Sequence, residues 1–182
     1  ACARRTNRVS LIQLVHAACF GYCRYLDAWR RRETDVFTAA EQLDFLRRRY
    51  LGNARPVTGY RITAWKRRTV RAFLDGPRPV RFTRSLDRAI AQARAQDGAV
   101  AAWGQTARRI AGRVHGAKLL LVTVEDGFLR SVGLGASFAP AFSYVFDASG
   151  IYYDPARPSD LEHILQSELF DGPLIQRARA LI

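Results

Sequence analysis

An α/β fold, in which a parallel sheet is flanked by helices and preceded by a helical region, is predicted for this chain by three observations. From about residue 80 onward, short apolar runs alternate with amphipathic stretches of helical length, and glycines stand at the junctions. The run 119–124 is the most strand-like in the chain, five of its six residues being Leu or Val. Over 182 residues, 48% hydrophobic and 25% charged is a globular mixture, which excludes a disordered, collagen-like or low-complexity chain.

Taken in order, residues 9–29 read as one basic, amphipathic helix. Thr38-Ala39-Ala40-Glu41 has capping-box spacing and predicts a second helix over 39–50. A turn-rich break at 52–59 leads to a third helix over 60–74, with Ile62, Trp65, Val70, Phe73 and Leu74 near one side and Lys66, Arg67, Arg68 and Arg71 as polar neighbours. Asp75-Gly76-Pro77 ends it, so the helical region is assigned to 1–76 and the α/β lobe to 77–182.

In the second region, 80–82 is a short strand and Ser85 opens a helix closed by Gly98. Residues 99–103 form a compact apolar strand, Gly104 turns into a helix over 105–115, and Gly116 releases the chain into 119–124. A strand pair over 142–146 and 151–153 is predicted, joined by a hairpin-like turn at 147–150. Ser159-Asp160-Leu161-Glu162 starts a last helix by a second capping box.

Charge is the outlier. Lys and Arg number 29 against 16 Asp and Glu, a formal balance of +13. All but Lys66 and Lys118 of the 29 are Arg. Guanidinium groups match phosphate and carboxylate geometry through paired hydrogen bonds, so an anionic partner is expected: nucleotide, acidic sugar, nucleic acid or anionic lipid.

Three cysteines, Cys2, Cys19 and Cys23, cannot close a disulfide framework and fit a reducing compartment. His16, Cys19 and Cys23 share helical spacing, but one straight helix rarely closes a tetrahedral zinc site; no metal or cofactor is expected. The apolar stretch 9–22 holds about 14 residues against the roughly 20 a spanning helix needs, and it reads as an interfacial amphipathic segment. The chain has no Met, even at position 1, and reads as one piece of a longer protein.

In open parallel sheets, ligands bind beyond the carboxyl ends of the strands. Two places qualify: Trp103-Gly104-Gln105 after the 99–103 strand, and Glu125-Asp126-Gly127-Phe128-Leu129-Arg130-Ser131 after the 119–124 strand. Adjacent carboxylates on extended backbone point to opposite sides, so Glu125 and Asp126 are expected to do different work. Such acids act as nucleophile, general base or stabiliser of a sugar cation, or simply cap a following helix. Asp147 and Asp154 bracket a turn and read as turn formers. No Walker loop, complete GxGxxG, GxSxG or zinc spacing is present.

The run Val124-Glu125-Asp126-Gly127-Phe128-Leu129-Arg130-Ser131-Val132-Gly133-Leu134-Gly135 resembles a signature of the bacterial capsule polysaccharide export family, the KpsC-like β-Kdo transferases. Asp147-Ala148-Ser149-Gly150-Ile151-Tyr152-Tyr153-Asp154 and Pro158-Ser159-Asp160-Leu161-Glu162 are similar to that family's next block, and Trp65-Lys66-Arg67 and Ala102-Trp103-Gly104 stand upstream in the expected order.

The resemblance implies a Rossmann-like lobe of a two-lobed, GT-B-like glycosyltransferase. It implies transfer of Kdo from CMP-Kdo to an anionic glycolipid of the (lyso)phosphatidylglycerol type, with retention, to build a poly-β-Kdo linker. The implied setting is cytoplasmic and peripheral at the inner membrane, near capsule export machinery. Carried onto this chain, Asp126 is the expected essential carboxylate and Glu125 the second candidate. Arg130, Ser131, Gly104 and Gln105 are the expected substrate-binding residues. The second, nucleotide-binding lobe of the family is not found in these 182 residues. Two other readings stand beside this one: a basic nucleic-acid-binding module, which lacks any readable helix-turn-helix, RRM or zinc signature, and an inactive truncated remnant.

Overall fold

The computed structural model describes residues 8–129 and 141–182. The chain divides into two compact units, Ala1–Gly52 and Asn53–Ile182.

In the first unit, Ser10 caps α1 (Leu11–Val15) through a capping box with Gln13, and the helix continues as a wider, π-type stretch over His16–Tyr22. The Cys23 N–H bonds the Ala18 carbonyl at 3.1 Å, five residues back, and Cys23 itself is extended. The helix expected over 9–29 therefore stops at Tyr22. Beyond it the chain forms a hairpin, β1 (Tyr25–Asp27) antiparallel to β2 (Arg32–Thr34). Asp27 explains the break, because its Oδ1 accepts from the backbone N–H groups of Trp29 and Arg30 at 3.0 and 2.9 Å and so builds the turn. Gln42, from the helix α2 (Val36–Gly52), donates to the same oxygen at 3.0 Å and locks hairpin to helix.

Helix α2 begins before the residue the Thr38–Glu41 spacing predicts. Asp35 is the cap, accepting from Phe37 and Thr38 N–H at 2.8 and 3.0 Å, while the Thr38 hydroxyl donates back to Asp35 at 2.7 Å.

The second unit is the mixed α/β fold. Its sheet has the order β4-β3-β5-β6-β7, where β3 is Val57–Tyr60, β4 Arg81–Thr83, β5 Ala99–Trp103, β6 Leu120–Asp126 and β7 Tyr144–Asp147. The first four strands run parallel and β7 is antiparallel to β6, with Asp126 opposite Tyr144 and Thr123 opposite Asp147. The helices α3 (Ala64–Leu74), α4 (Leu86–Ala95) and α5 (Gly104–Gly116) alternate with these strands, and α6 (Asp160–Ser167) and α7 (Gly172–Arg179) come last.

Alternation along the strands sorts two cores. Val100, Ala102 and Leu121 pack with Ala89 and Ala93 of α4 and with Ala107, Ile110, Ala111 and Val114 of α5. On the other face, Ala101 and Val124 pack with Ile62 and with Val70 of α3, rimmed by Trp103, Val122, Tyr144 and Phe146. Small residues on β5 let helices approach the sheet closely, since alanine adds little bulk beyond the backbone.

Two expectations shift. The α/β unit starts at Asn53 rather than 77, because 57–60 is a central strand and α3 begins only at Ala64. The β-branched residues Val57 and Thr58 favour that strand, but Gly59 and Tyr60 hid it beside a helical pattern. Residues 151–153 are a turn rather than a strand. Asp147 accepts from the N–H groups of Ser149, Gly150 and Asp160, and Asp160 in return accepts from Ala148 N–H and the Ser149 hydroxyl. That clasp folds the chain from β7 directly into α6, which the Ser159–Glu162 capping box starts as expected.

Candidate active site

The carboxyl end of β6 carries Glu125 and Asp126 at the rim of the sheet, and the pleat sends them to opposite faces. Glu125 faces α5. Tyr153 Oη donates to Glu125 Oε1 at 2.7 Å. A Cβ built on Gly104, the first residue of α5, would overlap the Glu125 carboxylate and crowd the Tyr153 hydroxyl. Only glycine at 104 lets that carboxylate lie against the first turn of a helix whose N-cap, Trp103, supplies no side-chain hydrogen bond. The position suits a negative charge, because the unpaired N–H groups there carry partial positive charge. Burial, then the bond to Glu125, pushes the Tyr153 phenol well above its ordinary value of 10, so it stays a donor at neutral pH.

Asp126 faces α3. Lys66 Nζ lies 3.4 Å from Asp126 Oδ1, with only 15% of the lysine and 20% of the aspartate side chain exposed. The same ammonium sits 3.2 Å from the centroid of the Trp103 ring and 5.1 Å from that of Trp65. Trp103 is in turn braced edge-on by Tyr144 at 5.6 Å. Burial first, and the nearby Asp126 charge second, raise the Tyr144 phenol above its ordinary value.

Glu125 and Asp126 border one cleft of about 270 Å³ at the strand end, lined also by Gly127, Phe128 and Tyr152. Phe128 and Tyr152 pack at a 45° tilt with centroids 5.1 Å apart along its side. Gly127 allows the chain to pass tightly against Ser143, whose carbonyl accepts the Gly127 N–H at 2.8 Å. A second hollow, of about 170 Å³, lies on the α5 side and is lined by Gly104, Gln105, Arg108, Ile151, Tyr153 and Asp154.

The structure thus brings together Glu125, Asp126 and Gly104, and sets Gln105 in the hollow on the α5 side. Arg130 and Ser131, with Gly133 and Gly135, lie outside the described residues. Trp103 belongs to the first of the two places the sequence marks, whereas Lys66 and Tyr153 are not assigned to the site by sequence reasoning. Lys66 had two signals: it is one of two lysines among the basic residues, the rest being arginine, and it stands in the Trp65-Lys66-Arg67 run of the family resemblance. Asp147 and Asp154 form turns as expected, Asp147 buried within the clasp and Asp154 accepting from Ala156 N–H at 3.1 Å. Among the described residues, no group of three or more His, Cys, Asp or Glu is placed to hold a metal ion, and no helix is long and apolar enough to cross a membrane.

Residues 98–177 match the model of a family described as capsule polysaccharide biosynthesis protein. Over 179 residues, 98% of the chain, it is 31% identical to the capsule polysaccharide modification protein LipA of Neisseria meningitidis serogroup B, of which it covers 25%. It is 47% identical over 81 residues to the lipopolysaccharide-processing protein LpsZ of Rhizobium meliloti, covering 42% of this chain and 18% of that one. The chain therefore spans about a quarter or less of the length of these relatives. Among solved structures it is similar to Thermosulfurimonas dismutans KpsC, a beta Kdo 2,7 transferase, with TM-score 0.55 and 30% identity over 69% of this chain and 40% of that one.

Proposed function

This chain being a KpsC-like member of the capsule polysaccharide biosynthesis family, we propose that it forms the acid-bearing lobe of a retaining β-Kdo glycosyltransferase. The observation that carries the reading is the pair Glu125 and Asp126 at the carboxyl end of β6, which border a cleft of about 270 Å³. A cleft of that size accommodates one sugar unit, and a carboxylate at its wall can serve as the nucleophile of a two-step transfer with retention.

Asp126 is the essential carboxylate in this reading. One Asp126 oxygen attacks the anomeric carbon of the sugar as the bond to the CMP phosphate breaks, and CMP leaves with the bonding electron pair. An acceptor hydroxyl then displaces the aspartyl oxygen from the opposite face and gives up its proton to a base. Glu125 is the weaker candidate for the attacking group because Tyr153 and the first turn of α5 already hold its carboxylate. Gly104 and Gln105, which line the hollow on the α5 side, are the substrate-contact residues of this reading.

The donor is CMP-Kdo and the acceptor an anionic glycolipid of the (lyso)phosphatidylglycerol type, the product being a poly-β-Kdo linker. The balance of +13 supports such anionic partners. The setting is the cytoplasmic face of the inner membrane, where clustered Arg30, Arg31 and Arg32 and Arg47, Arg48 and Arg49 favour a negative leaflet, with capsule export machinery nearby.

The test is Kdo transfer from CMP-Kdo by the full-length enzyme carrying Asp126→Asn. Turnover should fall about 10⁴-fold while the fold is retained. A folded Asp126→Asn enzyme with wild-type turnover refutes the reading.

A further inference from the structure

We propose that Lys66 is the positioning residue for Asp126, acting through that carboxylate rather than on substrate; this rests on Asp126 being the essential carboxylate. Three observations converge on the lysine. Its ammonium lies 3.4 Å from Asp126 Oδ1. It lies 3.2 Å from the Trp103 ring centroid, within cation–π range, on a residue that ends β5 next to the end of β6. And it is 15% exposed, in a chain whose positive charge is almost all arginine.

Geometry explains the choice of lysine. The ammonium is a compact charge that fits between an indole face and a single carboxylate oxygen, whereas a guanidinium is a planar fork that claims both oxygens. The lysine meets Asp126 through Oδ1, on the α3 side, while the same carboxylate lines the cleft shared with Gly127, Phe128 and Tyr152. Trp103 is clamped by Tyr144 and by the hydrophobic cluster around Val124, so the lysine head rests on a rigid floor. The carboxylate is thereby held to one rotamer at the rim, and alignment of this kind governs how often an attacking atom meets its target.

The decisive experiment measures kcat and KM for Kdo transfer in the full-length enzyme with Lys66→Met, Lys66→Arg, Asp126→Asn and the double variant Lys66→Met/Asp126→Asn, each checked for a native melting transition. Lys66→Met keeps an unbranched side chain of similar length beside Trp103 and deletes the charge. It should lower kcat about 100-fold with KM within about threefold, because a displaced reacting group costs on that scale. Lys66→Arg should restore about tenfold of that loss by returning a stacked cation, and it covers the case in which Lys66→Met fails to fold. The double variant should be no slower than Asp126→Asn alone, since the lysine acts only through that acid. Lys66→Met with kcat within about twofold of wild type overturns the proposal. So does a rise in KM at unchanged kcat, an arginine variant as slow as the methionine one, or further slowing in the double variant. If Asp126→Asn itself turns over normally, the glycosyltransferase reading falls instead, and the two failures are told apart by that single variant.

Discussion

Tyr153 donates its phenolic hydrogen to Glu125 Oε1 across 2.7 Å, so a turn beyond β7 is tied to the last residues of β6. The contact separates the two adjacent acids by role. Glu125 is engaged on the α5 side, and Asp126, one residue on, faces Lys66 and α3. Tyr153→Phe deletes this bond and nothing else of the ring. Chemical denaturation should show a loss of about 1 kcal/mol, the usual net worth of one hydrogen bond.

Gly104→Ala inserts a methyl group where the Glu125 carboxylate and the Tyr153 hydroxyl already lie. Neither neighbour sits at the free end of an unrestrained chain, because each holds the other. Overpacking of this kind costs typically about 1–3 kcal/mol, so about 2 kcal/mol is expected from denaturant titration. Adding Tyr153→Phe in the same protein should cost less than the sum of the two single changes, as both disturb one contact.

Asp147 is buried and satisfies three backbone donors, those of Ser149, Gly150 and Asp160. Asp147→Ala removes the acceptor of all three; water can reach part of these donors, since Ser149 is exposed and Gly150 and Asp160 are half-buried, so a loss of about 2 kcal/mol is predicted. Asp147→Asn retains one acceptor oxygen and should lose about half as much. Melting curves of the two variants, ranked against each other, check the clasp.

The first unit should respond to acid. The Arg30 N–H and the Gln42 amide hold the Asp27 carboxyl at about 2 instead of 3.8. When the chain unfolds the group takes up a proton near 3.8, and when folded only near 2, so below about 4 the unfolded state binds more protons. The stabilisation is therefore full above about pH 4 and is lost as pH falls from about 4 to about 2. Thermal melting of the protein across that range should show a decline for wild type that is flatter in Asp27→Asn, whose amide does not titrate. An equal slope in both would locate the acid sensitivity elsewhere.

The alternation of apolar runs with amphipathic helices made β5, α5 and β6 legible almost to the residue, because each lies in a core that only apolar periodicity can fill. Ser85 and Ser159 likewise announced α4 and α6, a cap being a local hydrogen bond between neighbours in sequence. β3 was hidden, since its glycine and tyrosine gain strand character only from pairing with β4 and β5, which lie well downstream in the chain. The capping box at Thr38 was outcompeted by Asp35, whose carboxylate reaches two N–H groups at once.

By itself the sequence determined that two acids stand where a buried strand meets solvent, because hydrophobic patterning dictates where β6 ends and its period of two sends neighbours to opposite faces. Only the tertiary structure decided what each acid meets. Tyr153 reaches Glu125 from 28 residues downstream and Lys66 reaches Asp126 from 60 residues upstream. Such partners are set by sheet order and helix docking, which no local pattern encodes.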